Sequence, residues 1–388
     1  MKRVRGGVRN NWQRIIIEQG LVYGSPGAEV DGRARPYWDE SVHYEFEMDE
    51  ILGLEAQVEV LHSMCLDACE HIVLTERFAE FGLPEWSWGP IKESWHRGDP
   101  YIYGRFDLRY DGRGPAKLLE YNADTPTSLL EAAIVQWHWL TDVYPDDDQW
   151  NSLHEKLVDR WTEMRTTLAS SDLHFTWSGA DSSGEDNVTT AYMQETAAEA
   201  GWNTVALPIE EIGWDTELHR FVDLADATVH SIFKLYPWEW VLEDDFGKQV
   251  AGSLPKTTWI EPLWKTLLSN KALLAVLWEM YPGHPNLLPA YVDDPHELTD
   301  YIRKPKLGRE GANMTIVNAG HETATGGVYG AEGYVYQLFD PLPAFDGMHP
   351  VVGAWMVGDS AAGMGIRETP GLITDDSSTF VPHRIPTE

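Results

Sequence analysis

The sequence is poor in three things, and each shortage excludes something. It has two cysteines, Cys65 and Cys69, in 388 residues. They lie four apart in LHSMCLDACEHIV, a run that reads as helix. A bridge inside one helix closes a very small loop and stabilises little. A metal site of His62, Cys65, Cys69 and His71 is one reading of this run. A buried apolar helix face is the other, and the periodicity favours it. So little cysteine points to a reducing cytoplasm. Cations are also scarce: 29 Lys+Arg stand against 62 Asp+Glu, a formal charge of −33. Such a surface cannot displace counterions from nucleic-acid phosphates and is repelled by anionic lipid. Long apolar runs are the third shortage. None approaches the ~20 residues of a membrane helix. The opening MKRVRGGVRNNWQ has no apolar core behind its basic residues, so no export signal is expected.

What is present excludes disorder. Hydrophobic residues make up 43% and aromatics 12%, with 18 Trp, enough for substantial cores. At about 150 residues per unit, the length predicts two or three packed units. Apolar residues recur at steps of three and four through 36–82, predicting one long helix or two before Gly82. From Ile102 the period changes to two. YIYGRFDLRYDGRGPAKLLEYNAD alternates around a DGRG turn, so strands are predicted at about 101–110 and 116–122. A helix is predicted over about 127–140, with Thr125 or Thr127 as its cap. Residues 173–235 alternate strand and helix, implying a small parallel α/β layer. Helices over 260–280 and a strand-rich region beyond 300 follow. The closing DDSSTFVPHRIPTE predicts a loosely held tail.

Scarce cations give their positions more weight. Period two places Arg105 and Asp107 on one strand face, and Glu120 and Asn122 on one face of the next strand. Paired, they would gather a guanidinium, two carboxylates and a carboxamide. Carboxylate and amide oxygens are the donors Mg²⁺ takes, together with phosphate oxygens. A solvated ion-paired face is the plainer reading. Lys304-Pro305-Lys306-Leu307-Gly308-Arg309-Glu310-Gly311 is a Gly-rich turn among cations, able to cover phosphates or to be an ordinary basic hairpin. No GKS or GKT follows, so it is not a Walker loop. Lys271 on a helix, and the extended VYQLFDPLP around Gln337 and Leu338, say little alone.

In order, PYWDESVHYEF, GRFDLRYD, LLEYNADTPTSLLEA, LYPWEW, EPLWKTLLSNKALLAVLWEMYPGH, RKPKLGREGAN, VYQLFDPLP and GIRE resemble the synthetase domain of the glutathionylspermidine synthase family and its stand-alone acid–amine ligase relatives. LLEYNADTPTSLLEA is the most specific run, and the matches span 36–368. The resemblance implies an α/β (α+β) chain of ATP-grasp type: antiparallel sheets around ATP, plus the small parallel layer, which would be pre-ATP-grasp-like. The expected division is 1–140 for the helical region and the hairpin, 141–255 for a substrate layer, and 256–388 for nucleotide binding with the lid. Residue by residue, it implies Asp107, Glu120 and Asn122 as Mg²⁺ ligands and Arg105 as the group stabilising the transferring phosphoryl. Lys271, Lys304 and Arg309 would contact ATP, under a Gly308–Gly311 lid, with Gln337 and Leu338 at the adenine hinge. Arg367 matches an active-site arginine, and Thr125, Thr127 and Ser128 would contact the acid. The amidase domain of some members has no counterpart, and 140–235 matches loosely, leaving glutathione and spermidine open as substrates.

This chemistry agrees with the residues. A carboxylate becomes an acylating agent once ATP converts it to an acyl-phosphate, which needs Mg²⁺, fixed cations and a lid against water. An amine then attacks, and no GxSxG serine is required. The expected activity is an ATP- and Mg²⁺-dependent carboxylate–amine ligase in the cytoplasm, acting on a small-molecule acid and an amine such as a polyamine. Nucleic acid and membrane are excluded as partners. Alternatives are a peptide-type ligase with an amino acid as amine, and an inactive ATP-grasp module binding nucleotide or polyamine. The charge of −33 either steers a cationic amine or reflects adaptation to a salty or crowded interior.

Overall fold

A computed structural model describes residues 1–23, 29–30, 33–254, 256–375 and 377–387. The fold is mixed α/β. Its centre is a five-stranded antiparallel sheet in the order Thr379–Val381, Ser360–Thr369, His349–Val357, Tyr103–Arg109, Lys117–Asn122. The 28-residue helix Met48–Thr75 lies on one face. A reciprocal capping box of Glu47 and Glu50 starts it, and its stripe Ile51, Leu54, Val58, Leu61, Cys65, Ala68, Cys69, Ile72 is buried. The helical periodicity read over 36–82 holds from Met48, as one helix and a short 3-10 turn, Arg77–Phe81, closed by Gly82, whereas Val42–Glu45 within that range is a strand. Both thiols are fully buried and burial pushes their pKa up, so the apolar-face reading holds. His62 is turned to Tyr121 and Asp359, not to the cysteines.

Alternation sorts the sheet residues into two cores. Phe106, Leu108, Val352, Ala354 and Met356 pack with the long helix. Tyr103, Trp355, Val357 and Ala362 pack with Phe175 and Phe233 of the parallel layer and with Trp161 of the helix Leu153–Thr167. That layer has the order Thr258–Ile260, Ser231–Leu235, Asp172–Trp177, Asn203–Pro208, all parallel, with helix Glu185–Glu199 as a crossover. A second five-stranded antiparallel sheet has the order Ala290–Val292, Tyr334–Leu338, Tyr301–Pro305, Thr315–Asn318, His321–Ala324. No helix of the described residues is long and apolar enough to cross a membrane.

Two further expectations are corrected. Neither threonine caps the helix after the hairpin: Ser128 adopts a left-handed φ of 70°, and a π-helical turn, Glu131–Val135, precedes Gln136–Val143. The C-terminal residues are not a loose tail. Thr379–Val381 is an edge strand of the central sheet, and His383–Arg384 pairs with Val42–Glu45 beside Lys2–Arg5. Strands of two or three residues carry too little alternation to show in the sequence.

His383 has no exposure, and its Nδ1 lies 2.9 Å from Gln136 Oε1 while Nε2 has no partner among the described residues. Burial lowers its pKa from 6.5 to about 3. The unfolded chain therefore binds a proton that the folded chain refuses between those values. Its contribution is fully present above pH 6.5 and is lost as pH falls toward 3. In urea titrations across this window, a His383→Gln variant should lose stability more gradually with acid than the parent. Parallel curves would remove His383 as a determinant.

Candidate active site

The hairpin is built as alternation requires. Arg105 pairs with Asn122 and Asp107 with Glu120, with a register shift after Asp107. With Phe106 and Tyr121 stacked at 3.8 Å on the helix side, the polar four face the opposite way. They border a cleft of about 520 Å³ between the central sheet, the second antiparallel sheet and the parallel layer.

Arg105 is buried and fixed at three points. Its Nε donates to Asp107 Oδ1 at 2.7 Å, its Nη1 to Thr127 O at 2.6 Å, and its guanidinium carbon lies 5.6 Å from the Trp355 ring. Gly353, paired with Asp107, makes room for it: a Cβ there would sit 2.9 Å from Arg105 Cδ. Arg367 comes in from Ser360–Thr369 and donates to Asp107 Oδ2 at 2.6 Å. Lys271 Nζ lies 3.0 Å from Glu120 Oε2 and donates to Gly308 O at 2.5 Å. Lys304 Nζ donates to Gln337 Oε1 and Leu119 O, both at 2.8 Å. Asn122 Nδ2 donates to Glu120 Oε1 at 3.2 Å.

Burial alone would raise the Glu120 carboxyl, but Lys271 and Lys304 hold it well below the usual carboxylate range. Burial takes Lys304 down to about 8, with Glu120 opposing the fall. Asp107, Glu120 and Asn122 offer hard oxygen donors of the kind Mg²⁺ takes. Both carboxylates are matched by cations here, so a metal would take over contacts now made by Arg105, Arg367 and Lys271.

The cleft also has an acidic wall. Asp181, Glu185, Asp186 and Glu310 line it; Glu185 and Asp186 open the crossover helix, and Asp181 lies in the loop before it. Asp181 accepts bonds from Ser183 and from the Asp186 N–H. Burial, then Asp181 and Glu185, push the Asp186 carboxyl up to about 7. Burial also raises Glu185. Arg309 donates to Thr125 Oγ1, lies 3.5 Å from Glu239 and faces Trp240, so the Gly-rich turn is folded over the cleft. Gly311, at φ 66°, packs so close that a Cβ would meet Thr374 O at 2.6 Å.

Of the residues expected from the sequence, Arg105, Asp107, Glu120, Asn122, Thr125, Thr127, Lys304, Arg309, Gly311, Gln337, Leu338 and Arg367 border this cleft. Lys271 and Gly308 stand behind it, joined to each other, and Ser128 is buried away from its wall. The Leu338 N–H donates to Pro289 O at 2.7 Å, so that N–H is not free for a base. Leu119, Leu288, Ile302 and Met314 give this end an apolar lining. Sequence reasoning missed Asp181, Glu185, Asp186, Glu239 and Glu310. SGADSSGED reads as a linker, yet it follows a parallel strand, at the edge where α/β sheets bind ligands.

The sequence profile of the family described as glutathionylspermidine synthase preATP-grasp matches residues 3–386. A Haemophilus influenzae protein provisionally named an acid–amine ligase is 42% identical over 99% of both chains. The trypanothione synthetase of Crithidia fasciculata is 31% identical over 84% of this chain and 54% of its own. The bifunctional glutathionylspermidine synthetase/amidase of Escherichia coli is 27% identical over 83% and 56%. This chain thus spans about half the length of those two synthetases. In fold it is similar to a glutathione synthetase-like effector of Globodera pallida, with a TM-score of 0.59 over 97% of this chain and 96% of that one, at 10% identity. The chain belongs to the glutathionylspermidine synthase family.

Proposed function

We propose that this chain is an ATP- and Mg²⁺-dependent carboxylate–amine ligase that forms an amide through an acyl-phosphate. The observation that carries this reading is the gathering of fixed cations and acids in one cleft. Arg105, Arg367 and Lys304 surround two carboxylates there, and Asp181, Glu185, Asp186 and Glu310 line the same cleft. In this reading the two antiparallel sheets are the ATP-grasp layers, and 256–388 supplies the nucleotide half with the Gly308–Gly311 lid.

Lys304 and Lys271 lie where phosphates would enter under the lid, and the apolar Leu288, Ile302, Met314 and Leu338 suit a flat base. Asp107, Glu120 and Asn122 would hold Mg²⁺, whose charge would offset that of the phosphates. Arg105 and Arg367 are fixed donors for charge that grows on the transferring phosphoryl and the acyl oxygen. Thr127, whose carbonyl takes Arg105, and Thr125, which takes Arg309, would orient the acid. Arg309, latched on Thr125 and Glu239, closes the turn and keeps water from the acyl-phosphate. The acidic wall attracts a cationic amine and orders its ammonium groups, which fits a polyamine.

The test is a panel of acids and amines, glutathione and spermidine among them, scored by ADP release and by mass of the adduct. We expect ADP released in step with an amide product, and a thermal midpoint that rises with Mg-ATP concentration. A midpoint that rises with Mg-ATP while no acid–amine pair releases ADP would overturn the ligase reading in favour of a nucleotide-binding module.

A further inference from the structure

Gln337 borders the cleft, yet both ends of its amide are already committed. It lies on Tyr334–Leu338 of the second antiparallel sheet and is 1% exposed. Its Oε1 accepts Lys304 Nζ at 2.8 Å, and its Nε2 donates to Leu118 O at 2.9 Å. These partners fix the amide. Turned over, it would set an NH₂ against the Lys304 ammonium and an oxygen against the Leu118 carbonyl. Register brings the two side chains together: Lys304 pairs with Val335 and Ile302 with Gln337, so all four share one face of the sheet.

That face meets the hairpin where the hairpin's pairing slips. Asp107 pairs with Glu120 and Leu108 with Leu118, so Leu119 is an extra residue without a partner in Tyr103–Arg109. Leu119 and Glu120 are consecutive and both line the cleft, as a bulge allows and strict alternation does not. Lys117–Asn122 is also an edge strand, so the outward carbonyls of its bulge need partners from elsewhere. Gln337 supplies one for Leu118 O, and Lys304 Nζ supplies one for Leu119 O at 2.8 Å. The Lys304 ammonium thus has two of its three N–H bonds on neutral oxygens and one left for a ligand.

We propose that Gln337 is a positioning residue for the nucleotide phosphates: it holds the Lys304 ammonium beside the bulge that carries Glu120, and it does not read the base. The proposal rests on the ligase reading, through the nucleotide that Lys304 would contact. A neutral oxygen suits this task. It orients the ammonium without cancelling its charge, whereas a carboxylate would pair with it and weaken its pull on a phosphate. The same amide ties the second sheet to the residues just before Glu120, so the placements of the cation and of that carboxylate are set together. To read an adenine instead, Gln337 would have to give up Lys304 or Leu118 O and leave a buried polar group unpaired.

The test measures nucleotide binding by calorimetry with Mg²⁺ and with no acid or amine present. Gln337→Met should weaken ATP about tenfold, and should weaken inosine triphosphate, which lacks the 6-amino group, by the same factor. Loss for ATP with inosine triphosphate unchanged would make Gln337 a base reader and overturn the proposal. In a Lys304→Met background, Gln337→Met should cost less than about twofold, because the clamp has nothing left to hold. Losses that simply add would overturn it too. Gln337→Glu keeps the shape and an oxygen on Lys304 but offsets its charge, so it should weaken both nucleotides more than Gln337→Met. A Gln337→Glu variant that binds like the parent would mean a merely structural role. Ligand-free thermal midpoints show which variants are folded. Additive losses on a parent that binds Mg-ATP sink this proposal alone. A parent that binds no Mg-ATP sinks the ligase reading, and the proposal with it.

Discussion

Replacing Arg105 by alanine is expected to lower turnover by about 10²- to 10³-fold while Mg-ATP still raises the thermal midpoint. Arg105 borders the cleft, bonded to Thr127 O and sharing Asp107 with Arg367. Its guanidinium is held on both sides, so it acts on growing charge without having to reorganise. Lysine should not rescue it, because one ammonium cannot contact Asp107 and Thr127 O and stack on Trp355 together. Gly353→Ala gives an internal control. It forces Arg105 aside without removing its charge and should give a smaller loss of the same kind. Full ADP release coupled to amide by Arg105→Ala would remove the assigned role.

Lys234→Met should cost about 3–5 kcal/mol of stability. Lys234 lies fully buried in the parallel layer, its Nζ 2.6 Å from Asp124 Oδ1 and 4.4 Å from the Trp238 ring. Asp124 also takes the Trp238 N–H at 2.8 Å and is itself buried. Removing the ammonium leaves a carboxylate without solvent or counter-charge, and that residual cost, more than the lost attraction, sets the magnitude. The double variant Lys234→Met/Asp124→Asn should therefore recover much of the loss. Denaturant unfolding followed by tryptophan emission and far-ultraviolet dichroism measures both. A double variant no more stable than Lys234→Met would contradict this account. Asp124 precedes Thr125, so the single variant should also raise the KM of the acid.

How much of this was legible depended on how each segment repeats. The hairpin was legible because period two leaves Arg105 and Asp107 one place to point once Phe106 and Leu108 are buried. The Gly-rich turn was legible because cations are rare elsewhere. The acidic wall was not. In a chain of −33, Asp181, Glu185 and Asp186 look like any other acids, and only the parallel strand that ends before them aims them at the cleft. Thr125 and Thr127 resemble helix caps, and tertiary contacts with Arg309 and Arg105 claim them instead. Glu239 gave no signal of its own, because it sits on a short helix that begins at Trp238 just after the strand Ser231–Leu235.

The central sheet has a kinetic consequence. Tyr103–Arg109 is completed on one side by Lys117–Asn122, a local hairpin, and on the other by His349–Val357, about 240 residues away in sequence. The loop-closure entropy of that second pairing is met before its contacts repay it, so assembly of the sheet should be among the slow steps of folding. Until then Arg105 lacks the glycine it lies over and Asp107 lacks Arg367. Catalytic competence should therefore appear late and in a single step, and neither half of the chain should acquire it alone.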